Sequence, residues 1–132
     1  MHTVNATIGK DLYQTTLTAG TNTIIADEPL DLGGQDSGFN PKELLSASLA
    51  SCTAITLKMY AQRKNWPVAE FFVEVSILEN IETKHTEFQR VIRYTGTLEE
   101  SQAKRIEAIA NACPIHKLLS SAISVSTTIE GN

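Results

Sequence analysis

From Leu44 through Leu57 the chain carries no charged residue, and the stretch opens on a helix-start signal. Asn40 is a good N-cap, Pro41 falls at the favoured first helical position, and Glu43 at the third completes a capping-box pattern. The helix is expected to run to about Asn65, where Pro67 ends it. A surface helix shows a charged face, whereas here Ser46, Ser48, Ser51, Thr53 and Thr56 are the only polar interruptions. The pattern therefore predicts a helix buried nearly all round. One domain of 132 residues can cover one face of it with its own sheet, so the remaining faces imply a second copy and a homodimer centred on this helix.

Around the helix, alternation predicts strands. Val4, Ala6 and Ile8 alternate with polar residues, Leu12 to Thr18 forms a second run, and Ile24 and Ile25 centre a third after the Gly20 turn. Asp27 to Phe39 has Pro, three Gly and three Asp without a period, which reads as a long loop, and such loops are often functional. Phe71, Val73, Val75 and Ile77 mark a long strand with a hairpin partner from Glu87 to Thr97, joined through Asn80 to His85. Thr97 and Glu100 resemble a second capping box, opening a helix to Ala112 with the stripe Ile106, Ile109 and Ala110. A short helix from Pro114 to about Ala122 and a final strand through Ile123, Val125, Thr127 and Ile129 complete the order βββ-α-ββ-αα-β. This is an α+β fold with antiparallel sheets packed on helices, in a single domain spanning 1–132.

Composition narrows the function. Eleven Lys and Arg against 15 Asp and Glu give a net charge of −4 without a basic run, which disfavours nucleic acid as a partner. No apolar run approaches the ~18 to 20 residues of a membrane-spanning helix, so no membrane partner is expected. Met1 to Lys10 lacks the features of a signal peptide, and two cysteines are too few for a disulfide scaffold, so a cytoplasmic location is expected. His2, His85 and His116 share no ligand spacing with one another or with the cysteines, so neither a metal nor another cofactor is expected.

Two thiols remain as candidates. Cys113, just before Pro114, stands at a helix N-terminus, where free N–H groups and the dipole lower a thiol pKa, and His116 lies on the first turn of that helix. The alternative is a small buried hydrophobe at a helix junction. Cys52 is mid-helix among Ser48, Leu49, Ile55 and Thr56, a setting in which a thiol by itself reads as inert core unless another segment brings a cation or donors. Glu43 caps the helix, and nine residues from Cys52 it stands ~13 Å away along the axis, so it could act only by orienting a substrate or a cation. Ser46, Ser48 and Ser51 lack a nucleophile elbow, and the Gly33-Gly34 pair lacks a P-loop ending.

Asp27-Glu28-Pro29, Gly33-Gly34, Asn40-Pro41-Lys42-Glu43-Leu44-Leu45 leading to Ala50-Ser51-Cys52-Thr53, and Cys113-Pro114-Ile115-His116-Lys117-Leu118-Leu119 together resemble the OsmC/Ohr family, the osmotically induced and organic hydroperoxide resistance proteins. The resemblance covers nearly the whole chain. It implies an intertwined homodimer and a thiol peroxidase in which Cys52 is the peroxidatic cysteine and Cys113 the resolving one. The implied cycle passes through a Cys52 sulfenic acid and a Cys52–Cys113 disulfide reduced by an external dithiol, with organic or fatty-acid hydroperoxides as substrates. Two departures stand out. The family's hydroperoxidases activate the thiolate with an arginine of the N-terminal strand region, where this chain has only Lys10, and their glutamate directly follows the proline, where this chain has Lys42 and then Glu43. Lys42, Arg90 and Arg93 are the cations that could stand in. Both departures also fit a non-catalytic binding or redox-responsive module, and a third reading is acyl transfer or hydrolysis through Cys52.

Overall fold

Alternation of β-branched and polar residues builds three short N-terminal strands, β1 (Asn5–Ile8), β2 (Thr15–Ala19) and β3 (Asn22–Ala26), which pair as an antiparallel meander in the order β1-β2-β3. The computed structural model describes residues 2–131. The chain then forms α1 (Pro41–Arg63), the hairpin strands β4 (Val68–Asn80) and β5 (His85–Gly96), α2 (Glu100–Asn111) and α3 (Pro114–Leu119). The fold is mixed α+β with antiparallel sheets and three helices, as the sequence pattern predicts. It divides into two compact units, 1–47 and 48–132.

In the first unit the loop after β3 is closed by one side chain. Asp27 is buried, and its carboxylate accepts from the backbone N–H groups of Tyr13 (3.2 Å), Glu28 (2.8 Å), Gln35 (3.3 Å) and Ser37 (3.1 Å), and from the Ser37 hydroxyl (2.6 Å). Gly34 is required at its position because a Cβ there would collide with the Glu28 carbonyl and the Asp27 carboxylate. The loop closes with Ala26 bridged to Phe39. At the start of α1 the capping box forms as expected, with Asn40 N–H donating to Glu43 Oε1 (2.9 Å) and Glu43 N–H donating to Asn40 Oδ1 (2.8 Å).

In the second unit Leu57 of α1 packs with Ile106 and Ile109 of α2, and Phe71, Ile92 and Tyr94 of the hairpin close over them. Alternation along β5 turns Phe88, Arg90, Ile92 and Tyr94 toward this side and leaves Gln89, Val91 and Arg93 exposed. Leu57 is 1% exposed, and truncating it to alanine would cost about 2–5 kcal/mol.

Four expectations are corrected. Helix α1 is buried along one stripe, Leu49, Thr53, Leu57 and Ala61, at a spacing of four, and not all round; Ile55 and Met59 are 53% and 60% exposed. A single chain covers the side that carries this stripe and Tyr60. By length and composition α1 is also apolar enough to cross a membrane, contrary to the expectation, although its buried stripe is that of a core helix. The second capping box uses Glu99 and Gln102, not Thr97 and Glu100, because Leu98 is drawn into the core cluster and the helix starts after it. Finally, the segment after α3 forms no strand among the described residues, and Ile123, Val125 and Ile129 are exposed. Alternation alone cannot make a strand, since each backbone group needs a neighbour to pair with.

Candidate functional site

The tertiary fold sets Cys52 of α1 beside Cys113, the N-cap of α3. Both thiols are free; Cys113 is completely buried and Cys52 is partly exposed. The Cys113 sulfur accepts the His116 backbone N–H at 3.4 Å, as expected of a cysteine at a helix N-terminus.

The two sulfurs titrate as a pair. Burial pushes the Cys52 pKa up, and the hydrogen bond to Cys113 pushes it further, against opposing bonds from the Ile115 N–H and the Thr56 hydroxyl. Burial also works against the Cys113 thiolate, but the Cys52 thiol, the His116 and Ile115 N–H groups and the Thr53 hydroxyl together outweigh it, and its pKa falls below that of a free thiol. The pair therefore gives up one proton readily and holds the second. The easier ionisation lies on the buried Cys113 and the harder one on the accessible Cys52.

A cation completes the surroundings. Arg90 reaches from β5 and donates through Nη1 to Thr53 Oγ1 (3.0 Å) and the Ala110 carbonyl (3.3 Å), and through Nη2 to Asn111 Oδ1 (2.8 Å) and His116 Nδ1 (3.2 Å). Guanidinium has no acceptor, so His116 Nδ1 accepts, and its neutral ring carries the proton on Nε2. The His116 imidazole thus serves Arg90, and its contribution to the thiols comes from its backbone N–H instead. Thr53 is completely buried, and its hydroxyl hydrogen has the Leu49 carbonyl at 2.7 Å as one acceptor. Because Arg90 occupies a lone pair of Thr53, that hydrogen is left to choose between Leu49 and the Cys113 thiolate.

Of the other candidates, Glu43 is exposed and occupied by its cap with Asn40. Arg93 faces solvent, 3.8 Å from Glu74, and takes no part. Thr53, Asn111 and Arg90 are the residues that sequence reasoning missed or left unplaced. One signal for Arg90 was available: it is the single charged residue on the inward-turned side of an otherwise apolar alternation, Phe88, Arg90, Ile92, Tyr94. Among the described residues no three of His, Cys, Asp and Glu are grouped to hold a metal. Arg90 and His116 also border a cavity of about 660 Å³ that Phe88, Ile92 and Tyr94 line.

Residues 34–128 match the family described as OsmC-like protein. No curated protein matches the chain. Among solved structures, a Psychrobacter arcticus 273-4 protein, provisionally named for osmotic stress induction and a detoxification response, is 28% identical, with a TM-score of 0.76 over 89% of this chain and 88% of that one. The organic hydroperoxide resistance protein OhrB of Bacillus subtilis is 21% identical, with a TM-score of 0.61 over 91% and 90% of the two chains. An organic hydroperoxide resistance protein OsmC from Legionella pneumophila is likewise 21% identical, with a TM-score of 0.62 over 91% and 89%.

Proposed function

The chain belongs to the OsmC-like protein family, and from that premise we propose that it is a two-cysteine peroxidase that reduces organic hydroperoxides in defence against oxidative stress. The observation that carries this reading is the pair of free thiols set side by side, Cys113 buried and Cys52 accessible. The names of the Bacillus and Legionella proteins, which share the fold, agree with it.

The division of labour follows from the proton. As a hydroperoxide approaches Cys52, the buried Cys113 thiolate takes the Cys52 proton, and the new Cys52 thiolate attacks the O–O bond. The bond breaks to give Cys52 sulfenic acid, and the leaving alkoxide recovers a proton from the Cys113 thiol as alcohol. Cys113, again a thiolate, displaces hydroxide from the sulfenic sulfur and forms the Cys52–Cys113 disulfide. An external dithiol then returns both thiols. Arg90 supports this cycle through Thr53 and His116 and fills the role left open by the missing N-terminal arginine. Glu43 keeps its structural place in the cap and is given no chemical step.

A homodimer belongs to the same reading. The exposed Leu45, Ile55 and Met59 of α1 and the unpaired alternation of Ile123, Val125 and Ile129 are surfaces that a second copy would cover. Light scattering at micromolar concentration is expected to give twice 14.4 kDa; a monomer would remove the dimer from the proposal. A reducing cytoplasm suits free thiols that must be regenerated.

Mass spectrometry of the reduced protein after one equivalent of organic hydroperoxide tests the chemistry. The expected result is rapid loss of two hydrogens at a Cys52–Cys113 bridge, with a Cys52 sulfenate trapped in the Cys113→Ser variant. Thiols that stay reduced, or oxidise no faster than free cysteine, would overturn it in favour of a binding module.

A further inference from the structure

The C-terminal end of α1 carries a cluster that the thiol cycle does not use. Asn65 takes a left-handed backbone (φ 55°), its N–H donates to the Gln62 carbonyl (3.2 Å), and Trp66 N–H donates to the Ala61 carbonyl (2.9 Å), a Schellman ending of the helix. The turn folds Trp66 back on Tyr60, edge to face, with ring centres 5.2 Å apart. Arg105 of α2 lies 5.6 Å from the centre of the same Tyr60 ring, and Arg63 and Lys64 each lie 5.9 Å from it. Twelve positions separate Lys64 from Cys52, about 18 Å along the helix, so the cluster stands apart from the thiols.

A pocket of about 320 Å³ opens here, lined by Tyr60, Lys64, Trp66, Ser101, Gln102 and Arg105. Each of these side chains carries a hydrogen-bond donor, and none carries a carboxylate. The Gln102 oxygen already accepts the Glu99 N–H (2.9 Å), which leaves its amide hydrogens. Among the described residues no acceptor is bonded to any of these side-chain donors. The nearest acids of α2 are engaged, Glu100 with Lys104 (3.1 Å) and Glu99 with the Gln102 N–H in the capping box. A place at the C-terminal end of a helix accounts for Arg63 and Lys64, which complement its dipole. It does not account for Arg105, which stands in the second turn of α2 and meets the other two cations without a counter-charge.

We propose that this pocket binds a phosphate monoester that carries a flat ring, with the phosphate on Lys64 and Arg105 and the ring against Trp66. A phosphate brings close to two negative charges and three strong acceptor oxygens to a pocket of clustered cations and unused donors, where a carboxylate brings one charge and two oxygens. The half-buried indole of Trp66 supplies a flat apolar wall beside the cations. Binding here needs no redox chemistry and does not depend on the peroxidase reading.

Calorimetric titration of the full chain with phenyl phosphate, inorganic phosphate and benzoate tests the assignment, and Trp66, the chain's one tryptophan, reports on the pocket by its fluorescence. Phenyl phosphate is expected to bind more tightly than inorganic phosphate and at least about tenfold more tightly than benzoate, to bind more weakly as salt is raised, and to change the Trp66 emission as it binds. The K64Q/R105Q double variant is expected to lose at least about tenfold in phenyl phosphate affinity. K104Q, which removes an exposed cation of α2 outside the pocket, is expected to keep it. Benzoate or inorganic phosphate bound as tightly as phenyl phosphate, an unchanged affinity in K64Q/R105Q, an equal loss in K104Q, or no phenyl phosphate binding at about 1 mM would overturn the proposal. The comparison of the three probes is made on the unsubstituted chain, so it decides the matter even where the double variant fails to fold.

Discussion

Asp27 and Cys113 are both buried and both acidified, yet they are built for opposite ends. The Ser37 hydroxyl leads the set of donors that hold the Asp27 carboxyl well below the usual carboxylate range, and burial opposes them without prevailing. Four backbone N–H groups share the same carboxylate. Its charge is fully met by fixed donors, and nothing remains for it to react with. Cys113 also collects donors, but one of them is another thiol whose proton can move. A buried anion satisfied by backbone is a structural pin; one satisfied partly by a neighbouring acid is a reagent.

The sharpest break between the two regions is chemical. Cys52→Ser is expected to cut hydroperoxide consumption by about 10³ or more, measured as peroxide loss with a dithiol reductant. Asp27→Asn is expected to lower the melting temperature while leaving the thiol alkylation rate unchanged; a matching loss of alkylation would mean that the two regions are not independent.

Next in size is Thr53→Val, which takes the acceptor from Arg90 Nη1 and the hydroxyl from Cys113. A loss of about 1–3 kcal/mol in denaturant unfolding is expected, together with slower alkylation at neutral pH. An unchanged alkylation rate would show that Thr53 only fills space. Arg90→Lys keeps the charge but not the fork to Thr53, Asn111 and His116, and is expected to slow alkylation about threefold. A wild-type rate in this variant would reduce Arg90 to a general field.

The smallest effects lie in the pH profiles. Ultraviolet thiolate absorbance, which sees both sulfurs whatever their access, is expected to rise in two steps, one below and one above the ~8.5 of free cysteine, because one thiol is acidified and the other held back. A single step at the free-cysteine value would contradict the shared proton. The Asp27 loop should behave differently. A carboxylate with depressed pKa contributes stability above its unfolded value of ~3.9, and that stability is lost as pH falls from there through the folded value. Amide-exchange protection at Gln35 and Ser37, once corrected for intrinsic exchange, is therefore expected to stay flat from about pH 5 to 8 and to decline only in stronger acid.

Much of this was legible along the chain. The Asn40 and Glu43 cap, the β4–β5 hairpin, the Ile106, Ile109 and Ala110 stripe and the helix-start position of Cys113 are all local patterns, and each appears where its spacing places it. The Asp27 loop was recognisable as a long loop, but its cage was not, because its donors come from residues as far apart as Tyr13 and Ser37. Arg90 was one of three candidate cations, marked only by its place in the apolar alternation of Phe88, Ile92 and Tyr94. Its role depends on β5 lying beside both Thr53 and His116, separated from it by 37 and 26 positions.

By itself, then, the sequence determined most of the elements, the first cap and the two residues able to do thiol chemistry, because periodicity, capping and side-chain type act over a few neighbouring positions. Tertiary structure decided that the two sulfurs meet, which donors gather around them and which arginine serves the pair. Those are properties of distances through space and of the donors that gather around a buried group, and spacing along the chain does not contain them.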